Sequence, residues 1–581
     1  MLEELKNLLE SGDYAAARQL ANRLVEAGED SELFWILNAT LYQIEGYKEG
    51  EYACISRGLQ KNAANYELYY MLGCCYKERN INQAYLCFEQ ALYYCTDEND
   101  RPLMEAEIIY CKEQPDYEVH PVSIVILSYN IAEILKNCIA GIRENNDPST
   151  YELVVVDNAS TDGITDWLRQ QEDIVLQCND TNLGYARGCN QGIELAAPEN
   201  DILLLNNDTI VPPNAIFWLR MGLYERKTVG AAGPITNYAG NNQALANQLD
   251  SVDAYLELAR QIHVPIAYPY ENKLWLIGFA MLIKRAALNK AGLLDTRYEW
   301  GNYEDNDYGL KLSANGYECL LCYNSFIYHY GSLNMTKDLK KYEHYMQENR
   351  QKLIDKWGFQ VPYYSNARID LIDNIHRSPK EHIRVLEIGC GSGATLSRIR
   401  YQFPNAEVYG IELMEEVAKA GRFMGNIVTG NIETMELPYE KQYFDYILFG
   451  DVLEHLRDPA AVLCKLGEYL ADGGQVIASI PNIMNISVIV GLLHGDFTYQ
   501  DSGLLDRTHI HFFTYKEILR MFAVCHYQIR DVKGRAGREV MQEGEEALIE
   551  AVYALPGIEP REQFEVYQYL VVAEKMPEGE I

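Results

Sequence analysis

Hydrophobic positions along the chain follow two different patterns. Up to about residue 96, apolar residues recur at helical spacing, as at Ala84, Phe88 and Ala91. After a charged, proline-containing connector, short apolar runs alternate with helical segments, which is typical of α/β domains with a mainly parallel sheet. A second connector near 360–381 precedes another such series. The pattern predicts a multidomain protein, with an all-α region followed by two α/β domains.

The helical region repeats itself at a distance of 35 residues. The positions that recur are Phe34, Leu37, Asn38 and Leu41, followed by Tyr69, Leu72, Gly73 and Tyr76. This pattern resembles the tetratricopeptide repeat, although the first copy has asparagine where glycine is usual. An unspecialised array of helical hairpins is the alternative. Either arrangement offers a groove for a protein partner or for the acceptor rather than a catalytic site.

Chain length and pattern together divide the sequence. The 581 residues are too many for one hydrophobic core, because a domain typically has about 100 to 200 residues. We place the helical repeats at 1–96, a linker at 97–120, the first α/β domain at 121–360, a second linker at 361–381 and the second α/β domain at 382–581.

Composition narrows the environment and the partners. A formal net charge of −34 would repel a phosphate backbone, so we expect no nucleic-acid binding through a basic surface. The N-terminus has no basic stretch followed by an apolar one, and the run 486–493 is much shorter than the ~20 residues of a spanning helix. We therefore expect a cytoplasmic protein with reduced cysteines, placed at the inner face of a membrane only through partners.

Polar residues follow the apolar runs of the first α/β domain. Ser128 and Asn130 end VSIVILSYN, Asp157 and Asn158 end YELVVVDN, and the run LLLNNDTIV is interrupted at 206–208. Ligands of open α/β sheets collect at the carboxyl ends of strands. Asparagine and aspartate are poor strand formers, so this interruption indicates a binding site.

The ordered motifs of 121–358 resemble the family 2 glycosyltransferases, which have the GT-A nucleotide-sugar-binding fold. The motifs are VSIVILSYN, VVVDNASTDG, NLGYARGCNQG, LLLNNDTIV, GFAMLIKR, EWGNYEDNDYGLKL and IYHYGS. The resemblance implies a nucleotide-sugar donor and a glycan, glycolipid or glycoprotein acceptor. It further implies that the donor-binding residues are Ser128, Asn130, Asp157, Asn158, Arg187 and Asn207.

The same resemblance implies a divalent metal site for Mn²⁺ or Mg²⁺. Asp208 matches the last acid of the family's D-x-D motif, while Asn206 stands where the first acid is usual. His329 matches a position where the family often places a second ligand. With one protein carboxylate, the donor diphosphate has to supply much of the coordination. A histidine that only caps a strand end is the alternative for His329.

The acidic pair Glu304-Asp305 precedes a predicted helix. In the enzymes that the domain resembles, the aspartate of this pair is the general base and the anomeric carbon is inverted, so both residues are catalytic candidates. An acidic helix start favoured by the helix dipole is the alternative, and it suits Asp307 better than Asp305. Trp300 and Tyr303 form either a platform for a sugar or part of the core.

The second α/β domain begins with an apolar strand and a glycine-rich turn. VLEIGCGSG supplies Glu387 and three glycines at 389, 391 and 393, and the next strand ends at Glu412. Glu412 lies about twenty residues after the glycines, which is where an acidic residue that binds ribose hydroxyls is expected. A dinucleotide-binding oxidoreductase is the rival, and the block FDYILFGDVLEHL argues against it.

This domain resembles the class I S-adenosylmethionine-dependent methyltransferases, with a Rossmann-like fold, over about 382–575. The resemblance implies that the cofactor-binding residues are Glu387, Gly389, Gly391, Gly393, Glu412, Asn431, Ile432 and Asp451. If the acceptor is a hydroxyl, transfer needs a base. His455 is the candidate, with His509 and His511 as alternatives.

These resemblances predict a bifunctional enzyme that transfers a sugar and a methyl group in cell-surface glycan or glycoprotein assembly. Two alternatives remain at the level of the sequence. In one, the repeats act as a scaffold and the glycosyltransferase domain has decayed. In the other, the methyltransferase alone is active and the sugar domain only binds a glycan.

Overall fold

The computed structural model of the chain describes residues 1–331, 339–537, 546–555 and 561–576. It separates into two units, Met1–Gly358 and Phe359–Ile581. Across the described ranges, no helix combines the length and the apolar character needed to cross a membrane.

Helical hairpins open the first unit, as the repeat pattern predicts. They comprise α1 (Leu2–Glu10), α2 (Tyr14–Glu26), α3 (Glu32–Glu45), α4 (Lys48–Lys61), α5 (Tyr66–Tyr76), α6 (Ile81–Tyr94) and α7 (Arg101–Lys112). Ser31, Asn65 and Asn80 start α3, α5 and α6 by accepting hydrogen bonds from first-turn N–H groups.

The glycine of the second repeat explains how closely two helices pack. A Cβ added at Gly73 would lie 2.5 Å from a ring carbon of Phe88, so α5 and α6 approach because position 73 has no side chain. At the equivalent position of the first copy, Asn38 is buried and accepts a 2.9 Å hydrogen bond from Arg18 Nη1. The asparagine is therefore accommodated by a polar partner.

The predicted linker at 97–120 is partly helical. It contains α7, in which Met104 and Cys111 are buried. This segment extends the helical array towards the first strand of the sheet, so the array does not end at residue 96.

The remaining elements of the first unit form an α/β domain around a mixed sheet. They are β1 (Val122–Ser128), α8 (Ala132–Asn145), β2 (Tyr151–Asp157), α9 (Ile164–Leu168), β3 (Ile174–Cys178), α10 (Tyr185–Leu195), β4 (Asp201–Asn206), β5 (Thr209–Ile210), α11 (Ala215–Leu223), β6 (Val229–Ile235), α12 (Val252–Ile262), β7 (Tyr270–Lys273), β8 (Ala280–Ile283), α13 (Arg285–Ala291), α14 (Glu304–Ala314), β9 (Glu318–Phe326), β10 (Tyr328–His329) and α15 (Leu339–Trp357).

Eight of these strands pair in the order β3-β2-β1-β4-β8-β6-β9-β7, and β5 pairs separately with β10. β1 runs parallel to β2 and β4, whereas β8 is antiparallel to β4. The central strands β1 and β4 are almost wholly buried, which explains their continuous apolar runs. The four parallel strands β1 to β4 therefore end at one edge, where the predicted donor site lies.

The helical repeats pack directly against the α/β domain. Gln83 Nε2 donates to the Met221 carbonyl oxygen at 2.9 Å, and the Tyr94 hydroxyl donates to Asn214 Oδ1 at 2.7 Å. Arg220 on α11 is buried and pairs with Glu89 on α6. One face of the array thus binds its own chain rather than a separate partner.

The second unit contains a Rossmann-like sheet with helices. Its elements are α16 (Val361–Tyr364), α17 (Ile369–Ile372), β11 (Arg384–Ile388), α18 (Ala394–Gln402), β12 (Glu407–Glu412), α19 (Glu415–Ala420), β13 (Asn426–Thr429), β14 (Phe444–Gly450), a 3₁₀ turn (Leu453–His455), α20 (Pro459–Gly467), β15 (Leu470–Pro481), α21 (Ile486–Leu493), α22 (Tyr515–Val524), β16 (Tyr527–Ala536), α23 (Glu546–Tyr553), a second 3₁₀ turn (Arg561–Phe564) and β17 (Val566–Lys575).

Seven strands pair in the order β13-β12-β11-β14-β15-β17-β16, with β17 antiparallel to both of its neighbours. The predicted linker at 361–381 carries α16 and α17, which belong to this unit. Cys464 and Cys525 form a disulfide, whereas the sequence analysis expected reduced cysteines.

Candidate active sites

The carboxyl ends of β1, β2 and β4 bring the predicted donor-binding clusters to one edge of the first sheet. β1 is in register with both neighbours, so Ser128 lies beside Asp157 and Leu127 lies beside Asn206. Ser128 is buried, and its Oγ has no hydrogen-bond partner among the described residues. Because an unpaired buried hydroxyl is costly, this position fits a polar group of a ligand.

Asp157 and Asn130 shape the loop that follows β2. Oδ2 of buried Asp157 accepts a 2.6 Å hydrogen bond from the Thr165 hydroxyl. Asn130 has a φ of 51°, and its Oδ1 accepts the Thr161 N–H at 2.7 Å. Direct contact of either side chain with a donor stays a prediction.

Asn158 and Arg187 lie on two sides of the NLG loop. Asn158 Oδ1 accepts the Leu183 N–H at 3.0 Å, and its Nδ2 donates to Asn182 Oδ1 at 2.9 Å. Its amide therefore positions the loop. Arg187 is exposed in the first turn of α10 and forms no ion pair within the described ranges, so its guanidinium is accessible to an anionic ligand.

The polar interruption in LLLNNDTIV is a turn between two strands. β4 ends at Asn206, and β5 begins at Thr209. The Asn206 N–H donates to the Phe279 carbonyl oxygen at 2.7 Å, while its own carbonyl accepts from the Thr209 hydroxyl at 2.9 Å. Asn207 and Asp208, both buried, therefore occupy the turn rather than the middle of a strand.

Asp208 and His329 come together through the two-stranded sheet. Thr209 of β5 pairs with His329 of β10, and His329 Nε2 lies 3.3 Å from Asp208 Oδ1. His329 Nδ1 lies 3.0 Å from the Tyr238 carbonyl oxygen. A carbonyl accepts only, so Nδ1 carries the hydrogen of the neutral ring and Nε2 directs its lone pair towards Asp208. A carboxylate beside an imidazole lone pair fits a divalent cation.

Asp305 lies at the first turn of α14. Its Oδ2 accepts the Gly278 N–H at 3.1 Å, and Oδ1 accepts the Asn306 N–H at 2.8 Å. Burial raises the pKa of Asp305 to about 6, against the lowering effect of these N–H groups. Burial also raises the pKa of neighbouring Glu304, with a further contribution from the charge of Asp305. A carboxylate whose pKa is close to neutral suits a general base.

The loop before α14 is held in an unfavourable backbone conformation. Residues 300–303 all have positive φ, with 66° at Trp300 and 73° at Tyr303. Such conformations cost about 1 to 3 kcal/mol each for non-glycine residues and concentrate at functional sites. Trp300 is 52% exposed, so it is available as a platform for a sugar, whereas Tyr303 is half-buried.

Asp307 has a structural role. It is fully buried and accepts hydrogen bonds from Trp357 Nε1 at 2.7 Å and from Lys356 Nζ at 2.8 Å. These contacts fasten α15 to α14.

The glycine-rich turn of the second unit requires glycine. Gly389, Gly391 and Gly393 have φ values of 65°, 54° and 79°, which other residues rarely adopt. A Cβ at Gly391 would lie 2.6 Å from the Tyr364 carbonyl oxygen. That carbonyl also accepts the Ser392 N–H at 2.8 Å, so α16 covers the turn.

The acids of this site are buried beside the turn. Glu412 Oε2 accepts the Gly391 N–H and Oε1 accepts the Met414 N–H, both at 2.9 Å. Burial raises the pKa of Glu387 to about 8, and its Oε2 has no partner among the described residues. An unpaired buried carboxyl oxygen fits a ligand that carries an amine, as S-adenosylmethionine does.

The predicted adenine-region residues follow β13. Ile432 is buried and Asn431 is exposed. The neighbouring Gly430 N–H donates to the Glu412 carbonyl oxygen at 2.9 Å. This bond holds both residues beside the strand end that carries Glu412.

Asp451 follows β14 with a φ of 57° and is the centre of a hydrogen-bond network. It accepts from the Ser479 hydroxyl at 2.8 Å, from Arg368 Nη1 at 2.7 Å and from Gln568 Nε2. Arg368 lies in the segment that the sequence pattern predicts as a linker, so its role was not predicted. Ser479 and Gln568 were not predicted either, because β15 and β17 meet Asp451 only in the folded sheet.

The three candidate histidines share one loop region. His455 Nδ1 lies 3.1 Å from the Thr508 carbonyl oxygen, and the rings of His455 and His509 have centroids 4.8 Å apart. Burial and neighbouring His455 lower the pKa of His509. His511 Nε2 instead lies 3.1 Å from the Arg457 carbonyl oxygen, so it acts as a loop contact.

Comparisons with known proteins match this division of the chain. Residues 123–292 match the family described as glycosyl transferase family 2, and residues 360–529 match the family described as methyltransferase domain. The chain therefore carries both kinds of transferase domain, as the sequence motifs predicted.

The curated relatives of the chain include methyltransferases. The ubiquinone biosynthesis O-methyltransferase of Xylella fastidiosa is 30% identical over 160 residues, which are 24% of this chain and 63% of that protein. The malonyl-[acyl-carrier protein] O-methyltransferase of Bacillus cytotoxicus is 33% identical over 138 residues, 22% of this chain and 48% of that protein. This chain thus spans less than two thirds of either relative.

Solved structures of both kinds of transferase are similar to parts of the chain at low identity. The Pyrobaculum calidifontis mannosyltransferase in complex with GDP-Man and Mn²⁺ is 18% identical, covering 49% of this chain and 78% of that chain, with a TM-score of 0.31. An S-adenosylmethionine-dependent methyltransferase from Mesorhizobium loti is 17% identical, covering 36% of this chain and 96% of that chain, with a TM-score of 0.25.

Proposed function

We propose that this chain, which joins a family 2 glycosyltransferase domain to a methyltransferase domain, is a bifunctional transferase acting in cell-surface glycan or glycoprotein assembly. Its donors are a nucleotide sugar and S-adenosylmethionine, and its acceptor is a glycan, glycolipid or glycoprotein. The proposal of one pathway for both domains rests on their presence in one chain.

One observation carries the glycosyltransferase proposal. Gly278 and Phe279 are consecutive, and they contact the candidate base and the candidate metal ligand respectively. The Gly278 N–H binds Asp305, and the Phe279 ring lies on the His329 ring with centroids 5.0 Å apart. This short segment supports a single site that contains Asp305, Asp208 and His329.

In the proposed sugar transfer, Asp305 accepts the proton of the acceptor hydroxyl as that oxygen attacks the anomeric carbon. The bond between the anomeric carbon and the diphosphate oxygen breaks on the opposite face, so the configuration is inverted. Asp208 and His329 would hold a divalent cation, which supplies positive charge for the diphosphate when it is bound.

In the proposed methyl transfer, Glu387, Glu412 and the glycine turn bind S-adenosylmethionine. The acceptor oxygen forms a bond with the methyl carbon, the bond from sulfur to that carbon breaks, and its electron pair remains on sulfur. The acceptor proton leaves to a base or to water. Two of the curated relatives are named as O-methyltransferases, and their names support oxygen as the accepting atom, whereas other relatives are named as demethylmenaquinone methyltransferases.

Nucleotide-sugar turnover tests the first activity. The full chain, with Mn²⁺ and a panel of nucleotide sugars, should slowly hydrolyse at least one of them and stabilise on binding it. Asp305→Asn should reduce turnover by about 10²- to 10⁴-fold while leaving donor binding intact. Glu299→Gln, which changes an exposed acid close to the same loop, serves as the control. If no nucleotide sugar in the panel were hydrolysed and none stabilised the chain against heat, the proposal would be contradicted.

Calorimetry tests the methyl donor. S-adenosylmethionine should bind the wild-type chain, and Glu412→Ala should weaken binding by about tenfold or more, since one charge-assisted hydrogen bond is worth about 1.5 to 3 kcal/mol. Glu416→Ala removes an exposed acid of the next helix and should leave affinity unchanged. Equal affinity for all three proteins would contradict the assignment of the cofactor site.

A further inference from the structure

Three side chains beside Asp451 present metal-binding atoms to a common point. They are Glu454, His455 and His509, and one ligand atom from each lies within 4.8 Å of the other two. The cluster is formed by the 3₁₀ turn after β14 and by the loop that precedes α22. It lies outside the residues assigned above to S-adenosylmethionine.

Glu454 is the fully buried member of the cluster. Its side chain has no solvent exposure, and neither carboxylate oxygen has a hydrogen-bond partner among the described residues. The nearest basic atom, His509 Nε2, is 4.0 Å from Oε1. Burial of an ionised carboxylate without donors is strongly unfavourable, so such a group either stays protonated, as the raised pKa of Glu454 allows, or binds a cation.

Both imidazoles have the orientation that metal coordination requires. His455 Nδ1 lies 3.1 Å from the Thr508 carbonyl oxygen, and His509 Nδ1 lies 3.2 Å from the Leu504 carbonyl oxygen. Carbonyls accept only, so each neutral ring carries its hydrogen on Nδ1 and keeps its lone pair on Nε2. Orientation of a histidine ligand by a carbonyl acceptor is common at metal sites.

The backbone fixes the two halves of the cluster to one another. The carbonyl oxygen of Glu454 accepts the N–H groups of Ile510 and His511 at 3.0 and 3.1 Å. Asp451 and Asp506 add negative charge that acts on Glu454, and Arg368, which pairs with Asp451, offsets part of it. The backbone bonds hold the loop against the turn.

We propose that Glu454, His455 and His509 bind a divalent transition-metal ion whose remaining coordination positions take an oxygen of the methyl acceptor. Two imidazoles and one carboxylate suit Zn²⁺, Co²⁺ or Fe²⁺ better than Mg²⁺ or Ca²⁺. The second half of this proposal rests on the proposed methyltransferase function. At the proposed metal site His455 is a ligand, so it does not act as the base that takes a proton from the acceptor.

Cobalt binding tests the site without any methyl acceptor. The full chain carrying Asp208→Asn, which weakens the candidate metal site of the first unit, is freed of metal and titrated with Co²⁺. We expect one equivalent to bind, with the visible absorption of a nitrogen- and oxygen-ligated cobalt ion. Adding Glu454→Gln or His509→Asn should weaken binding by about tenfold or more.

His511→Asn is the matched control, because it removes an imidazole from the same loop but not from the cluster. Far-ultraviolet circular dichroism checks that each variant is folded, and His509→Asn provides a second test if Glu454→Gln is not. Equal Co²⁺ titrations for the cluster variants and for His511→Asn would overturn the metal site. Co²⁺ binding at the cluster without methyl transfer would contradict the proposed function and leave the site established.

Discussion

The backbone N–H of Gly278 donates a hydrogen bond to Oδ2 of Asp305 at 3.1 Å. The next residue, Phe279, lies on the ring of His329 and accepts the Asn206 N–H through its carbonyl oxygen. Two adjacent residues thus fix the position of the candidate base and of a candidate metal ligand. A displacement of this segment should therefore affect both functions together.

Phe279→Leu should raise the Mn²⁺ concentration needed for half-maximal turnover of the nucleotide sugar. Loss of a stacked aromatic contact is worth about 0.5 to 1.5 kcal/mol, which corresponds to an increase of roughly 2- to 12-fold. Turnover measured against Mn²⁺ concentration checks this. Phe326→Leu removes a ring that stacks on Tyr255 in the same domain, and it should leave the Mn²⁺ requirement unchanged. Equal effects of the two substitutions would show that the stacking on His329 does not support the metal ligand.

Sugar transfer should increase as pH rises through about 6, because burial raises the pKa of Asp305 to about 6 and the base acts in its ionised form.

The stability of the folded chain should change in the opposite direction. The folded chain binds more protons than the unfolded chain between pH 4 and 6, so the free energy of unfolding falls as pH rises through this window. The difference in the free energy of unfolding between Asp305→Asn and wild type should therefore shift in favour of the variant by about 1 to 2 kcal/mol from pH 5 to pH 8.

Denaturant unfolding at the two pH values measures that gain, and initial rates of transfer measure the activity profile. A pH-independent difference in stability between wild type and Asp305→Asn would show that the pKa of Asp305 is not raised in the folded chain.

Gly391→Ala should weaken S-adenosylmethionine binding by more than about tenfold. An added Cβ would lie 2.6 Å from the Tyr364 carbonyl oxygen, at a φ of 54°. Gly473→Ala is the control, because Gly473 has a φ of 72° with nothing within 4 Å of the added Cβ. Gly473→Ala introduces the same kind of backbone strain, about 1 kcal/mol, but no steric clash. Calorimetric affinities for the two variants separate these effects, and equal affinities would exclude a role for the clash.

Arg220→Ala should destabilise the first unit by about 3 kcal/mol, because it leaves the partner carboxylate of a buried ion pair uncompensated. Arg220 is 5% exposed and pairs with Glu89 across the contact of α6 with α11. Arg260→Ala removes an exposed pair with Glu257 on one helix and should cost less than about 0.5 kcal/mol. Denaturant unfolding followed by tryptophan fluorescence measures both. A similar small cost for the two variants would mean that the helical repeats and α11 are only weakly coupled.

Local patterns in the sequence predicted the order of the elements and the clusters at the strand ends. Asp208 and His329 are 121 positions apart, and their proximity followed from resemblance, since only the pairing of β5 with β10 creates it. Arg368 was missed because it precedes a helix, α17, of only four residues, which is too short for a clear period. Tyr238 was missed because its backbone carbonyl, rather than its side chain, orients His329.

The contact between the helical repeats and the sheet has a consequence for how such a chain is inherited. One hydrophobic cluster extends from Ala39 in the repeats to Ile327, which directly precedes β10. A recombination that joined new sequence at residue 96 would cut this cluster, whereas one at residue 358 would respect the boundary between the units. Descendants of this chain should therefore retain the repeats together with the first α/β domain, even where the second unit has been exchanged.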